Sequence, residues 1–398
     1  MLNVLMMIKE EKPIPPASLN QFVAYFFKLG YSGFGGPVAL VGYIYRDLVE
    51  TNKWITEEEY KQGLALAQLS PGPLAAQLGI YLGYIHYGIA GATLTILAFI
   101  LPSFFMVLGL GIAYKLYGGL PWMQAVFYGI GAAVIGIIFS SSIKLTVKTI
   151  GNFTIGSFRK QWLLWLFFAA SAVFTFVKQS DAILIYLFAG FVTMFIKHPP
   201  SWSKTLINCI LFGGIGFWEI KEGSLMKMAI FFSNAGTFIF GTGLAIVPFL
   251  HEGVVNEFKW LNERQFLDAV AVAMITPGPV IMTVGFIGYL VSGFPGACVC
   301  AFATFLPCYL ITICSAPYFK KIANNNSIRA FVEGITAAIL GSLLGAVILI
   351  ALKNIVDFPT GFIAFSVAII LFYSKRVPEQ LIILVAAILG ICVKYFEN

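Results

Sequence analysis

Charge is scarce in this chain. Asp, Glu, Lys and Arg make up 11 % of its 398 residues, where a soluble domain carries roughly 25 %. So few charges cannot cover a globular surface, which excludes a soluble enzyme, a nucleic-acid binder and a disordered scaffold. The formal net charge of +7 does not reopen nucleic acid as a partner, because the 25 Lys and Arg stand singly between apolar runs. Histidine is sparse too. His86, His198 and His251 are far apart and form no HExxH, so no metal site is expected. Cys209, Cys298, Cys300, Cys308, Cys314 and Cys392 form no CxxC and read as small buried hydrophobes. There is no Walker A sequence for ATP, and no His, Cys or paired-acid cluster that would mark an embedded enzyme or a cofactor. What the chain does have is apolar: hydrophobic types supply 59 % and mean hydropathy is +0.88. It reads as an all-α polytopic membrane protein whose solvent is the lipid bilayer.

Long apolar runs lie at 21–45, 62–87, 89–114, 121–143, 226–251, 268–291, 294–318 and 328–352, and shorter ones near 162–177, 181–196, 205–218, 360–374 and 379–396. Together they give about 13 segments. An internal duplication organises them. Trp54 and Trp260, Phe34-Gly35 and Phe240-Gly241, and Pro71-Gly72-Pro73 and Pro277-Gly278-Pro279 all recur at one offset of 206 residues. The expected organisation is a polar leader at 1–18, read as cytoplasmic and not as a cleavable signal peptide. A first transmembrane repeat follows at 19–200, then a linker at 201–225 that includes the run 205–218, then a second repeat at 226–398. Each repeat carries about six segments. A crossing by 205–218 would turn the repeats upside down relative to each other, as in many secondary transporters. The distribution of Lys and Arg then favours a cytoplasmic N-terminus.

Two motifs per repeat carry the chemistry. Gly33-Phe34-Gly35-Gly36-Pro37 interrupts the first run. Its glycines hold a helix poorly, and Pro37 suits the first turn of a new one. One reading is a broken helix with orphan N–H groups at mid-membrane. The other is a glycine face for close helix packing. The second copy, Phe240-Gly241-Thr242-Gly243, lacks the proline. Ser70-Pro71-Gly72-Pro73 and Thr276-Pro277-Gly278-Pro279 must also interrupt their helices. They are read either as a site or as a structural kink. Each is preceded by a capped helix start, Thr56-x-x-Glu59 and Asn262-x-x-Gln265. Four half-helix N-termini, at about half a positive charge each, would balance a dianion. Backbone N–H groups, Ser70, Thr242, Thr276 and Asn234 are the candidate donors. Lys28 either attracts an anion or snorkels to the interface, and its counterpart at the same offset is the neutral Asn234. Arg46 and Arg264 read as edge charges, Asp268 as standing at a span entrance, Trp54 and Trp260 as interface anchors, and Glu333 as a partner for Arg329.

Phe34-Gly35-Gly36-Pro37, Trp54, the stretch Ala67 to Pro73, Gly83 and the second copy through Pro277-Gly278-Pro279 and Gly288 resemble the chromate ion transporter family, in its long two-domain form. The resemblance covers nearly the whole chain. It implies an inner-membrane protein that moves chromate, usually outward, with sulfate as the chemical analogue, and so confers chromate resistance. It places functional weight on Gly35, Gly36, Pro37, Gln68, Pro71, Gly72 and Pro73. The second half departs from the first, with Thr242-Gly243 in place of Gly36-Pro37 and Met274 in place of Gln68. The full set of expected substrate-contacting residues adds Lys28, Ser70, Asn234, Gly241, Thr242, Gly243, Thr276, Pro277, Gly278 and Pro279. The expected activity is secondary transport of a divalent oxyanion by alternating access. A passive anion channel is the alternative and an embedded enzyme the remoter one. A homodimer is compatible with the sequence, though no motif requires it.

Overall fold

The computed structural model describes residues 18–34, 36–178, 183–199, 225–237, 239, 243–318, 325–374 and 377–397, and among these there is no strand. The helices are α1 (Leu19–Ser32), α2 (Gly36–Ile44), α3 (Glu57–Leu69), α4 (Leu74–Tyr117), α5 (Pro121–Thr149), α6 (Ile155–Lys160), α7 (Trp162–Lys178) and α8 (Ile183–Lys197). The second repeat supplies α9 (Leu225–Thr237), α10 (Val247–His251), α11 (Glu263–Ile275), α12 (Thr283–Ser315), α13 (Asn326–Asn354), α14 (Phe358–Tyr373) and α15 (Glu379–Glu397). The run 205–218 lies outside the described residues. Among those described, four helical stretches are long and apolar enough to cross a bilayer: 74–117, 121–149, 280–318 and 326–354. Large apolar side chains such as Phe302, Leu352, Phe358 and Phe365 stand outward, as a multi-pass membrane protein requires.

Local sequence sets the helix ends. Ser18 with Gln21, Thr56 with Glu59, and Asn262 with Gln265 each form a reciprocal capping box at the starts of α1, α3 and α11. Pro121 sits in the first turn of α5, where its missing N–H costs nothing. Glycine governs the reversals. α4 and α12 are not straight rods: Gly88 (φ 65°) and Gly293 (φ 65°) interrupt them at matching positions. A Cβ on Gly83 would lie 2.7 Å from the Gly91 carbonyl. Those residues would be about 12 Å apart along a continuous helix, so the chain doubles back at Gly88 and forms a hairpin of one short and one long arm. The arm from Leu74 to Gly88 rises only about 21 Å, less than the roughly 30 Å hydrocarbon core.

The two repeats exchange partners. α1 packs on α4, and α9 packs on α12, each within its own repeat. The long central helices do the opposite. α5 packs against α14 and α15 of the second repeat, while α13 packs against α7 and α8 of the first. Small residues permit the approach: a Cβ on Gly129 would overlap the Ala386 carbonyl, and one on its counterpart Gly334 would overlap the Ala189 carbonyl. Contacts at related positions are therefore reciprocal, the signature of a two-fold relation. Tyr128 adds a cross-repeat hydrogen bond to Asp357 at 2.7 Å, at the N-cap of α14.

The expected Arg329–Glu333 pair is not the one that forms. Glu333 pairs with Lys197 on α8 at 2.8 Å. A base four residues before an acid is the weaker helical order, and the end of α8 brings a competing ammonium across the repeat boundary.

Gly129→Val and Gly334→Val should each force the exchanged helices apart. Overpacking of this kind costs about 1–3 kcal/mol. The expected outcome is a lower unfolding temperature and less monodisperse protein in detergent, by similar amounts for the two variants because their environments match.

Candidate functional site

The helix-breaking motifs of the two repeats meet. Chain leaves helix at Gly33 after α1 and at Ser70 after α3, and resumes at Gly36 and at Leu74. The loop Pro71-Gly72-Pro73 does not close on its own repeat's first break. Gly72 N donates instead to Ile239 O of the second repeat at 2.6 Å, and Gly278 N donates to Gly33 O of the first at 2.9 Å. Ile239 and Gly33 are 206 residues apart, as are Gly278 and Gly72, so this is one interaction made twice. Both loop glycines occupy positive φ, 140° at Gly72 and 94° at Gly278. Neither tolerates a side chain: a Cβ on Gly278 would overlap Ser103 Oγ, and one on Gly72 would strike the Cys308 and Gln77 side chains.

The prolyl carbonyls of the loops are satisfied differently. Ser103 Oγ lies 2.8 Å from Pro277 O and 3.0 Å from Gly30 O, a single hydroxyl proton shared across the repeat boundary. Cys308 stands at the corresponding place in the second repeat and turns to its own helix, Sγ to Phe305 O at 3.1 Å. Pro71 O is served by Gln77 Nε2 at 2.6 Å. Gln77 is fully buried, and its Oε1 has no partner among the described residues. The sequence reading missed Gln77, although one amide inside the apolar stretch Leu74 to Tyr84 was its signal. It also placed Asp268 at a span entrance. Asp268 is 3 % exposed and accepts from Tyr114 of the first repeat at 2.7 Å.

Past each loop a helix begins without a side-chain cap: α4 after Pro73, and a 3₁₀ turn at Val280–Met282 after Pro279. Pro73, Leu74, Ala75 and Ala76 face Pro279, Val280 and Ile281 across a cleft completed by Leu40 of α2 and by Gly243. The N–H groups of a helix's first turn have no intrahelical acceptor, so two partial positive ends share this cleft. Its volume is only about 10 Å³, room for about one water molecule.

The other expected residues fall in several places. Ser70 and Thr276 are buried at the C-terminal ends of α3 and α11, and the Thr276 hydroxyl is spent on Val272 O and Ala273 O of its own helix. Gly36 (φ 73°) and Pro37 open α2. Gln68 is exposed on α3 and lines neither cavity, and Asn234 is half-buried on α9. Gly35, Gly241 and Thr242 lie outside the described residues. Lys28 lies on α1 in a separate cavity of about 330 Å³ together with Tyr25, Ser32, Tyr43, Arg46, Asp47 and Asn52, with Gly33 in its wall. No group of His, Cys, Asp and Glu able to hold a metal occurs among the described residues.

Gly278→Ala should cost about 1–2 kcal/mol from positive φ alone, plus the clash with Ser103. Adding Ser103→Ala should restore part of the lost thermal stability but not the part due to φ. Strict additivity in this double-mutant cycle would contradict the contact.

No solved structure matches this chain. It is 53 % identical over 383 residues to the chromate transport protein of Cupriavidus metallidurans, covering 95 % of this chain and 94 % of that one. It is 53 % identical over 386 residues to a probable chromate transport protein of Synechococcus elongatus, covering 95 % and 96 %. A chromate transport protein of Pseudomonas aeruginosa is 27 % identical over 394 residues, covering 94 % of this chain and 91 % of that one. The family model for chromate transporters matches residues 20–194 and 226–391, once in each repeat. The chain belongs to the chromate transporter family, a family of transporters and not of enzymes.

Proposed function

We propose that this protein is a secondary transporter that exports chromate, or a related divalent oxyanion such as sulfate, by alternating access between two inverted repeats with broken helices. The names of its relatives supply the substrate. The observation that carries the mechanism is the shared cleft, where the uncapped starts at Pro73–Ala76 and Pro279–Ile281 face each other. A tetrahedral dianion leaves its water only where many donors replace it. Two helix starts offer backbone N–H groups with no acceptor to give up, and together about one unit of positive charge. The glycine and proline motifs matter in this reading because they place those ends at depth, with Gly72, Gly278, Pro71 and Pro277 holding the loops and Gln77 and Ser103 bracing them.

The narrowness of the cleft favours alternating access over a passive pore. A site with room for one water molecule must widen to admit the ion, and in this reading it widens when the repeats move against each other. The two reciprocal bonds, Gly72 N to Ile239 O and Gly278 N to Gly33 O, are the contacts such a motion would break and remake. Gly243, which lines the cleft, would form part of the second repeat's side of the site. In the plasma membrane with a cytoplasmic N-terminus, outward movement of a dianion is itself favoured by the potential, by about 2.3 kcal/mol per charge per 100 mV.

Inside-out vesicles with and without the protein test this directly. Labelled chromate should accumulate saturably, sulfate should compete, and collapsing the proton gradient and the potential in turn should identify the driving force. Val280→Pro removes one N–H at a helix start that accepts proline sterically, and should raise KM several-fold in folded protein. Flux that never saturates would establish a channel instead. No flux above background in folded protein would remove chromate as the substrate.

A further inference from the structure

The two repeats differ where the first has its cavity. Around Gly33 the first repeat places Tyr25, Lys28, Tyr43, Arg46, Asp47 and Asn52 about a cavity of roughly 330 Å³. At the 206-residue offset the second repeat has Phe231, Asn234, Phe249, Glu252, Gly253 and Phe258. There the space is filled. Phe231 stacks on Phe249 at 5.1 Å and meets Phe258 at 5.4 Å, and Phe258 stacks on Trp260 at 4.6 Å. The Phe231 ring lies where a Cβ on Gly253 would sit, so the loss of the Asp47 carboxylate is what admits the ring. Lys227 rests over Phe258 at 4.8 Å. One repeat has a polar cavity where the other has an aromatic plug.

We propose that the Lys28–Arg46 cavity is a one-sided capture vestibule for the divalent oxyanion, so that the two faces of the transporter bind their substrate with different machinery. The inference rests on the oxyanion-transport reading above and adds a second anion site to it. Three observations carry it. Lys28 has no ion-pair partner among the described residues and is exposed to the cavity. Arg46 is held by its Nε, which donates to Asp47 Oδ1 at 2.8 Å, and Asp47 Oδ2 accepts from Tyr25 at 3.3 Å. The guanidinium carbon lies 5.2 Å over the Tyr43 ring, and the terminal nitrogens have no hydrogen bond among the described residues, so the fork has two donors to offer a tetrahedral oxyanion. Finally, the cavity wall includes Gly33, whose carbonyl accepts from Gly278 of the opposite loop, so an anion held here lies against the contact that the transport step would rearrange. Asp47 keeps the cavity at a net charge of about +1, enough to concentrate a dianion without trapping it.

The test uses the full chain in proteoliposomes with either face outward. Ser32 lines the cavity and is exposed, so Ser32→Cys serves as a reporter for a membrane-impermeant thiol reagent, read as the excess over the parent protein. Modification should occur from one face only and should slow with added chromate or sulfate. In the reporter carrying Lys28→Gln and Arg46→Gln, that protection should vanish. The same pair without the reporter should raise KM about tenfold or more from that face, the loss expected for charge-assisted hydrogen bonds, and leave KM at the opposite face unchanged. Lys61→Gln, in an exposed pair with Glu57 at 2.7 Å and outside the cavity, should alter neither reading. Modification indifferent to both anions, or equal KM changes at both faces, would overturn the proposal. Protection of the Ser32→Cys reporter by sulfate, with no chromate flux through the protein without the reporter, would overturn the transport reading and leave the capture site standing.

Discussion

A backbone N–H inside a bilayer must find an acceptor, and the rest of this structure depends on how that demand is met at two glycines. The Pro-Gly-Pro loops cannot continue a helix, because proline lacks the donor and its ring displaces the preceding turn. The loop's own repeat does not supply the missing acceptor. Gly72 reaches Ile239 O and Gly278 reaches Gly33 O, so each repeat completes the backbone of the other. In water a loop would turn to solvent. Away from water an unpaired group costs several kcal/mol, and that cost ties the halves together.

The exchanged packing follows the same logic at larger scale. α5 docks on α14 and α15, and α13 docks on α7 and α8, so neither duplicated unit has its full set of neighbours without the other. Glycines at Gly129 and Gly334 let backbones touch where the hydrophobic effect gives helices no reason to associate. Reciprocity of this kind keeps the central loops in register, because each half supplies the acceptor that the other half's loop requires.

Duplication also allowed divergence. Pro71 O and Pro277 O have the same requirement, yet one is met by Gln77 and the other by Ser103. Backbone needs persist through a duplication, while the side chains that meet them are free to change. The polar cavity around Lys28 and the aromatic cluster around Phe231 mark another place where the copies have separated.

Much of this was legible without coordinates. The membrane class follows from too few charges to cover a surface. The duplication follows from one offset, and the capped starts at Thr56 and Asn262 follow from local bonds that span only three residues. The interruptions at Pro71 and Pro277 follow from covalent geometry. What remained hidden concerns partners distant in the chain. Lys197 rather than Arg329 meets Glu333, Tyr114 meets buried Asp268, and Lys28 shares a cavity with Arg46, which the sequence placed at a membrane edge. Periodicity and propensity are properties of neighbours in sequence, so the sequence by itself determined where helices start and stop and that there are two copies of the unit. Which copy completes which loop was decided only by the tertiary structure, because either acceptor satisfies a glycine N–H equally well and only the packing of the whole chain chooses between them.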